Sequence, residues 1–474
     1  MASKQFHVMM FPWMAFGHMI PFLELSKKLA AKGIRISFLS TQRNVQRLPS
    51  IPQDLVDNIK MVELPLPSVD GLPENCEATV DLQDEQIPYL KKACDGLKAP
   101  IEKLMQKDPP DFILFDIIQS WIPETAAKFG VPCVLFSAFS ACAAAFIGPP
   151  AELKSLNQRT KPEDFTVPPK WIPFPSLVSH RPDQAAAYLQ HFYSPDITGL
   201  TTGQRVATTL EGCDFVAVRS CLEFERAYLH VLEELLRKPV LPVGLLPPRS
   251  VKNSHVDHKF SATFNWLDKQ RPKSVVFVGF GTEYKMPVER VHELAYGLEI
   301  SKLPFLWILR NPDGLSSSEL LPGGFLDRIS DKGMVSLGWA PQVEILAHPA
   351  IGGCLFHAGW GSIIESLGFG HPQILMPMVA DQNLNAKLLV EKGIGLEVQM
   401  NKDGSFDRDA IAKSTRQVMV DAEGEALRLK AAQIQGVFAN QDLHENYVNN
   451  LIQFMTSYKK KEKDHQKPIE DAKK

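Results

Sequence analysis

The segment 339–382 concentrates residue types that together can bind a nucleotide joined to a sugar. Its middle reads as a short apolar strand at 353–356, a turn at 357–361 and a capping-box pattern from Ser362 to Glu365, followed by helical sequence. A strand that turns tightly into a helix presents free backbone N–H groups and the positive end of the helix dipole. The sequence therefore predicts an anion site that suits a diphosphate at this turn.

Side chains around this turn add further binding groups. His357 and the hydroxyl of Ser362 can donate hydrogen bonds to a diphosphate, while Gly359 and Gly361 let the backbone approach it closely. Trp339 offers a flat face on which a base can stack. The segment thus supplies contacts for both the phosphates and the base.

Carboxylate and amide groups at two further places suit sugar hydroxyls. Glu365 can accept hydrogen bonds from ribose hydroxyls, and Asp381 with Gln382 can bind those of another sugar. Taken singly, three residues also fit a structural role: Glu365 as the capping-box partner, His357 as a packed histidine and Trp339 as a core aromatic residue. Their combination favours a binding site.

The same segment resembles, without a gap, the plant secondary-product glycosyltransferase signature, which is the donor-binding box of family 1 UDP-glycosyltransferases. The resemblance implies that Trp339 stacks on uracil and that Glu365 binds the ribose. It also implies that His357 and Ser362 hold the diphosphate and that the final Asp-Gln pair binds the transferred sugar. The matching residues are Trp339, Pro341, Gln342, His348, Pro349, Gly352, His357, Gly359, Trp360, Ser362, Glu365, Gly370, Pro372, Pro377, Asp381 and Gln382.

The segment departs from the family pattern at three positions. Phe356 stands where Ser or Thr is usual, Ala358 where Cys is commoner and Gly361 where most members carry Asn. That Asn side chain normally helps to bind the donor, so Gly361 is the departure with an expected consequence. Ala340 and Trp360, within the same box, complete the donor-binding residues that the resemblance implies.

A second glycine turn, 279–282, follows a predicted strand at 275–278. It lacks the GxGxxG pattern of a dinucleotide-binding fingerprint, but it suits a wall on the phosphate side of the site. Thr282 is the residue expected to contribute there.

His18 and Asp116 have the chemistry that a transfer to a hydroxyl requires. His18 is predicted in the loop after strand 6–11, directly before a helix, and Asp116 at the end of strand 112–115, so both are expected at the same edge of a parallel sheet. Imidazole can take a hydroxyl proton near neutral pH, and a carboxylate on its other nitrogen fixes the tautomer. A helix-start histidine and a strand-end cap explain the two residues equally well.

The family resemblance favours the catalytic interpretation. In this family the catalytic histidine lies in a Gly-His motif followed by a proline, here at 17–21, and the partner aspartate ends a strand, as Asp116 does. The implied mechanism is an in-line displacement in which His18 takes the acceptor proton and UDP leaves with inversion. No metal ion or other cofactor is expected, because fixed dipoles at the helix start meet the charge of the diphosphate.

The expected donor is UDP-glucose, because Gln382 at the end of the box is typical of glucose-using members, and UDP-rhamnose is the alternative. The sequences at 11–13, 17–27 and 357–362 resemble the branch that adds a sugar to the sugar of a terpenoid or flavonoid glycoside. Acceptor contacts are expected from apolar or aromatic residues, which fit a core role equally well: Phe16, Ile87, Ile117, Phe139, Phe146 and those of the 180–200 region.

The composition of the chain indicates which partners and which cellular compartment to expect. The 474 residues exceed a single core, so two domains are expected, and a formal charge of -3 argues against nucleic acid. No apolar run is long enough to cross a bilayer, and no secretory signal is evident. Seven cysteines without CxxC spacing indicate reduced thiols in the cytoplasm rather than disulfides or a zinc site. A monomer is expected.

Strand and helix patterns alternate through both halves of the chain. Together with the resemblance, they predict an α/β protein of GT-B type, with two Rossmann-like, doubly wound parallel-sheet domains that face across a cleft. The expected parts are an N-terminal acceptor-binding domain at 1–241, a linker at 242–252, a C-terminal UDP-sugar-binding domain at 253–440, a helix packing back on the N-terminal domain at 441–457 and a charged, disordered tail at 458–474.

Two other classes of protein fit parts of this pattern. One is a UDP-sugar-binding protein that has lost catalysis, against which the intact His18 and Asp116 argue. The other is a nucleotide-sugar epimerase or a dehydrogenase on a related fold, and the missing dinucleotide fingerprint disfavours the dehydrogenase.

Overall fold

The computed structural model describes residues 5–156, 158–247, 258–310 and 315–471. They form two compact units, each built around one parallel sheet. Unit 1 comprises the described residues up to Thr160, Leu189–Leu246 and those from Gln441. Unit 2 comprises Lys161–Tyr188 and the described residues between 247 and Asn440.

Within the described residues, the sheet of unit 1 has seven parallel strands in the order β3-β2-β1-β4-β5-β6-β7. The chain starts in the middle of the sheet, builds outward to β3 and then crosses back to β4. The point between β1 and β4 is therefore the topological switch point. The strands are β1 (His7–Phe11), β2 (Arg35–Thr41), β3 (Ile59–Leu64), β4 (Phe112–Phe115), β5 (Cys133–Ser137), β6 (Phe215–Val218) and β7 (Val240–Pro242).

The described part of unit 2 repeats this plan with six parallel strands in the order β10-β9-β8-β11-β12-β13. Its switch point lies between β8 and β11. The strands are β8 (Val275–Gly279), β9 (Phe305–Leu309), β10 (Gly333–Leu337), β11 (Ile351–Phe356), β12 (Gln373–Leu375) and β13 (Gly395–Glu397).

Helices connect the strands in both units. The helices up to residue 236 are α1 (Phe16–Ala30), α2 (Gln42–Arg47), α3 (Ile87–Asp95), α4 (Lys98–Lys107), α5 (Ile122–Lys128), α6 (Ala141–Ile147), α7 (Pro150–Lys154), α8 (Pro182–Tyr193), α9 (Thr202–Gly212) and α10 (Leu222–Leu236). The later helices are α11 (Ser261–Leu267), α12 (Val288–Ser301), α13 (Ser317–Leu320), α14 (Phe325–Arg328), α15 (Gln342–Leu346), α16 (Trp360–Gly368), α17 (Gln382–Glu391), α18 (Arg408–Met419), α19 (Glu425–Phe438) and α20 (Gln441–Asp471).

The predicted fold class, two Rossmann-like parallel-sheet domains of GT-B type, is confirmed. The strand predicted at 112–115 has the predicted bounds, and the apolar runs at 215–218 and 305–309 each form a strand over their full length. Each is an uninterrupted apolar run that is buried in its sheet. Short apolar runs bounded by turn residues therefore located strands in the interior of both sheets.

Helix α20 packs on the core of unit 1 through Val448, Leu451 and Met455. It continues to Asp471, whereas the run of charges predicted a disordered tail from 458. The first turn of that run is anchored, because the Tyr458 hydroxyl donates to Asp214 at 2.7 Å and Lys459 pairs with Asp111 at 3.2 Å. Lysine and glutamate, which are frequent there, are also good helix formers.

The division into units differs from the predicted boundaries in one segment. Residues 161–188, expected within the N-terminal domain, group with unit 2. One of the contacts responsible is the N–H of Leu177, which donates to the Glu391 carboxylate at 3.0 Å. The predicted linker at 242–252 begins at the last residue of β7, and its residues 248–252 lie outside the described residues.

Candidate active site

A histidine and an aspartate form a hydrogen-bonded pair in unit 1. The Nδ1 atom of His18 lies 2.8 Å from Oδ2 of Asp116. The two residues follow β1 and β4, at the switch point where doubly wound sheets bind ligands. The side chain of His18 keeps 14% of its surface exposed and that of Asp116 none. A ligand therefore meets the pair at the imidazole.

The carboxylate of Asp116 is oriented by backbone donors as well as by His18. The N–H of Trp13 donates to its Oδ2 at 3.1 Å, and the N–H of Ile117 donates to its Oδ1 at 2.8 Å. An ionised carboxylate only accepts hydrogen bonds, so the neutral ring carries its proton on Nδ1 and its lone pair on Nε2. The pair has the geometry of a base held in one tautomer.

The predicted position of His18 in a loop is wrong, because α1 begins at Phe16 and His18 lies in its first turn. The chain turns soon after β1, because the N–H of Ala15 donates to the carbonyl of Trp13 at 2.8 Å. Ala15 is then the N-cap, and the N–H of His18 donates back to its carbonyl at 2.9 Å. A helix holds the imidazole more firmly than a loop would.

The predicted acceptor residues differ in their surroundings. The ring of Phe139 meets that of His18 edge-on, with centroids 5.1 Å apart, and Ile117 is half-buried directly after Asp116. Half-buried residues also begin α1 and α3, namely Phe16, whose ring lies 5.1 Å from the Arg47 guanidinium, and Ile87. Phe146 has no exposed surface and lies beneath the Arg159 guanidinium, which is a core position.

The predicted donor-binding residues lie at the carboxyl edge of the unit 2 sheet. Trp339 follows β10, Thr282 follows β8, His357 follows β11 and Asp381 follows β12. Since β8 and β11 are neighbours on either side of the switch point, Thr282 and His357 flank the place where such sheets bind a ligand. Both are half-buried.

The predicted capping box from Ser362 to Glu365 is wrong, because α16 begins two residues earlier, at Trp360. Gly359 is its N-cap, with extended backbone angles, and Ala358 before it has a φ of 62°, which turns the chain sharply out of β11. Ser362 is therefore the third helical residue. The first-turn N–H groups, which have no partners within a helix, can bind an anion at the predicted place.

The imidazole of His357 lies close to two glycine backbones. A Cβ atom at Gly281 would fall 2.8 Å from its Cε1, and one at Gly359 would fall 2.7 Å from its Nε2. Any side chain at either position would therefore displace the ring. Burial lowers the pKa of His357 from 6.5 to about 4, and a hydrogen bond to the Gly279 backbone opposes this in part. At neutral pH the ring is uncharged.

This burial predicts a pH dependence of stability. In the unfolded chain His357 binds a proton near pH 6.5, and in the folded protein only near pH 4. Falling pH therefore favours unfolding across that interval. Between pH 7 and pH 4 the wild type should lose about 2–3 kcal/mol more stability than His357→Gln, measured by urea denaturation. Parallel pH profiles for the two proteins would contradict this placement of the ring.

Three predicted residues meet in one polar cluster. The amide Nε2 of Gln342, the first residue of α15, donates to the Glu365 carboxylate at 2.8 Å and lies 3.4 Å from the Ser362 hydroxyl. Glu365 is the sixth residue of α16, so it does not act as a capping partner. A half-buried carboxylate oriented by an amide suits two neighbouring ribose hydroxyls.

Trp339 is not a core residue, since 60% of its surface is exposed. The ring of Phe260 packs against the Trp339 indole in an edge-on arrangement, with the ring centroids 5.6 Å apart. Ala340 and Trp360 are buried, so their side chains support the site rather than line it. An exposed indole beside a polar cluster can stack on a base.

The Asp381-Gln382 pair lies at the start of α17. The carboxylate of Asp381 accepts a hydrogen bond from Asn385 Nδ2 at 2.7 Å. The same amide group lies 3.1 Å from the carbonyl of Ala358. Asn385 thus joins the turn after β11 to the loop after β12, a role that the sequence reasoning missed. Its spacing of four residues from Asp381, one turn of helix, was the available signal.

The described residues contain no group of three or more His, Cys, Asp or Glu side chains able to hold a metal ion. Among the helices that these residues form, none combines the length and apolarity that crossing a membrane requires.

Two protein-family models match the chain. The model described as "Glycosyltransferase, N-terminal domain" matches residues 4–161. The model described as "UDP-glucoronosyl and UDP-glucosyl transferase" matches residues 258–423, which include the whole polar edge of unit 2.

Individual proteins are similar over nearly the full length. UDP-glycosyltransferase 91C1 of Arabidopsis thaliana is 43% identical over 95% of this chain and 96% of its own length. Anthocyanidin-3-O-glucoside rhamnosyltransferase of Petunia hybrida is 34% identical over 97% of this chain and 98% of its own. Among solved structures, Glycyrrhiza uralensis UGT73P12 complexed with glycyrrhetinic acid 3-O-monoglucuronide matches with a TM-score of 0.78 and 21% identity over 99% of both chains, a likeness of fold.

Proposed function

Because the chain belongs to the plant family 1 UDP-glycosyltransferases, we propose that it transfers glucose from UDP-glucose to a sugar hydroxyl of a terpenoid or flavonoid glycoside. Enzymes of this family are inverting and metal-independent, and the UDP-sugar is a co-substrate rather than a cofactor. The observation that carries catalysis is the 2.8 Å hydrogen bond between His18 and Asp116.

In the proposed reaction His18 is the general base. Its Nε2 takes the proton of the acceptor hydroxyl while the oxygen forms a bond to the anomeric carbon of the donor. The bond from that carbon to the diphosphate breaks on the opposite side, so UDP leaves and the configuration inverts. Asp116 stabilises the imidazolium that forms, because its carboxylate already accepts the Nδ1 proton.

The donor is proposed to bind along the carboxyl edge of unit 2. Uracil stacks on the exposed face of Trp339, and the ribose hydroxyls bind Glu365. The diphosphate lies at the start of α16, where first-turn N–H groups, Ser362 and the uncharged His357 meet its negative charge. Thr282 is proposed to contribute a hydroxyl from the other side of the switch point.

The acceptor class is proposed from the branch resemblance and from one relative. The Petunia relative is named as a rhamnosyltransferase of an anthocyanidin 3-O-glucoside, an acceptor that already carries a sugar. That name also makes UDP-rhamnose the second candidate donor for this chain. Glucose is preferred because Gln382 is present at the end of the donor box.

An acceptor panel tests both parts of the proposal. Terpenoid and flavonoid aglycones are assayed beside their monoglucosides, each with UDP-glucose and with UDP-rhamnose, and products are identified by mass. We expect hexosylated products from the monoglucosides with UDP-glucose. Turnover of aglycones alone would overturn the sugar-on-sugar assignment. Products that carry an added deoxyhexose would show that the donor sugar is rhamnose rather than glucose.

Gly361→Asn tests the main departure from the family pattern. Gly361 is the second residue of α16, in the turn proposed to bind the diphosphate. An added amide donor there should change kcat/KM for UDP-glucose, or its ratio to UDP-rhamnose, by about two- to tenfold. Gly361→Ala, which adds no donor, is the control for loss of glycine. Unchanged kinetics with both donors would show that this corner does not distinguish the branch.

We also propose that the enzyme is a cytoplasmic monomer. None of the seven cysteines, which all lie in the described part of the chain, forms a disulfide, and six of them are buried, which suits a reducing compartment. Light scattering of the purified protein and the location of a fluorescent fusion test the two statements separately. A stable dimer would contradict the first, and a fusion confined to the secretory pathway the second.

A further inference from the structure

Residues of the 161–188 segment hold the loop that leads into α17 of unit 2. The Nη1 atom of Arg181 donates to the carbonyl of Pro377 at 3.0 Å. The amide Nε2 of Gln184 donates to the carbonyl of Met378 at 2.9 Å. These carbonyls lie directly after β12, in the loop that ends at the Asp-Gln pair. A segment remote in sequence therefore supports the proposed sugar site.

The same peptide groups are held from their other side by Gln382. The N–H of Met378 and the N–H of Val379 both donate to Gln382 Oε1 at 2.9 Å. A trans peptide group is planar and rigid, with its C=O and N–H pointing in opposite directions. The carbonyl of Pro377 and the N–H of Met378 form one such plane. The carbonyl of Met378 and the N–H of Val379 form the next.

These two peptide groups link the 161–188 segment to Gln382, because each is bonded on its carbonyl side by the segment and on its N–H side by Gln382. Two backbone donors fix which end of its amide is the oxygen, so the orientation of the amide follows from the hydrogen bonds. With Oε1 used by the backbone, Nε2 is the end of the side chain suited to binding a sugar oxygen. Any shift of the carbonyl side of the loop therefore shifts that donor.

The guanidinium of Arg181 is itself held rigidly. Its Nε and Nη2 donate to the two oxygens of Asp183 at 3.1 and 3.0 Å, and its Nη1 lies 3.7 Å from the Glu397 carboxylate. Only 11% of the side chain is exposed. A planar fork can serve the carboxylate and the carbonyl of Pro377 together, which a lysine ammonium cannot do in the same geometry.

We propose that Arg181 and Gln184 are positioning residues for the donor sugar, which determine how tightly the sugar part of the donor, and not its UDP part, is bound. The inference rests on the proposed function, because it takes Gln382 to bind the transferred sugar. It extends that function, because it proposes that residues from the first half of the chain influence which donor sugar is bound.

Calorimetry with UDP-glucose and with UDP, in the absence of acceptor, tests the proposal. Arg181→Ala should weaken UDP-glucose binding about tenfold, the effect of losing one charge-assisted hydrogen bond, and leave UDP binding within about twofold. Arg181→Lys should not restore the affinity, because the fork and not the charge is required. Gln184→Ala, a milder change, should act in the same direction and serves if Arg181→Ala does not fold.

Arg328→Ala is the matched control in unit 2. Arg328 also bonds one carboxylate, Glu299 at 2.7 Å, and one carbonyl, Gly323 at 2.8 Å, but it lies on α14 rather than beside the loop. We expect unchanged binding of both ligands. Equal weakening of UDP and UDP-glucose, full rescue by lysine or an effect in the control would overturn the positioning role.

An assay of sugar transfer by the wild type distinguishes failure of the proposed function from failure of the positioning role. A wild type that transfers no sugar would contradict the proposed function, while the binding measurements would still decide whether Arg181 and Gln184 act on the sugar. An active wild type whose variants bind UDP-glucose normally would contradict only the positioning role.

Discussion

Replacing His18 with alanine is expected to lower kcat about 10³-fold, within the range that a general base contributes. The acceptor hydroxyl then has no base to take its proton. Binding of UDP should stay within about twofold of the wild type, because every group proposed to bind it belongs to unit 2 and His18 to unit 1. Product formation by mass spectrometry and UDP binding by calorimetry measure the two effects separately.

Asp116→Asn tests the other member of the pair with almost unchanged volume. An amide can present its N–H₂ to Nδ1, which favours the tautomer with the proton on Nε2 and removes the base, so a loss of about 10²- to 10⁴-fold is expected. His230→Ala is the control, because that histidine is 69% exposed on α10. A fully active His18→Ala would remove His18 as base. A wild type that binds UDP but transfers no sugar would favour the inactive binding protein.

In the described part of the chain, all interior strands of both sheets could be predicted from the sequence, but only one of the four edge strands, β10, could be. The three strands that were missed, β3, β7 and β13, all lie at a sheet edge. β3 carries Lys60 and Glu63, β7 ends in Pro242, and β13 has three residues. Charge, proline and short length are the features that protect an edge from pairing with another chain. They also remove the apolar run on which strand prediction depends.

The candidate site was predictable where a contiguous motif carries it. The donor-box residues lie at the polar edge of unit 2 as expected, and His18 lies beside Asp116 as the strand ends suggested, while their roles stay predictions. The start of α16 was misplaced because the left-handed φ of Ala358 lets the helix begin at once, and sequence patterns favour serine over glycine as the N-cap. The contacts of Arg181 were out of reach, since they join residues 196 positions apart.

Gly359→Ala is expected to weaken UDP binding about 10- to 100-fold, through misplacement of the donors around the diphosphate. The new Cβ would fall 2.7 Å from Nε2 of His357, a ring that also lies close to the backbone of Gly281. The backbone itself accepts alanine, since φ at this position is -65°. The cost in folding stability should therefore stay near 1 kcal/mol, about that of an alanine N-cap.

Gly368→Ala is the matched control, because it adds the same methyl group to the last residue of the same helix, where a Cβ meets nothing within 4 Å. Calorimetry with UDP and urea denaturation of both variants compare binding and stability. Equal UDP affinities in the two variants would show that contact with the His357 ring is not the reason why glycine is required at position 359.

A double-mutant cycle identifies what the glycine makes room for. If Gly359 is required because of His357, then adding Gly359→Ala to His357→Ala should cost no further UDP affinity, and the two changes are coupled. If the glycine is required because the diphosphate approaches the backbone itself, its replacement should cost the same in either background. The contact distances favour the first result, since the ring of His357 lies against this position.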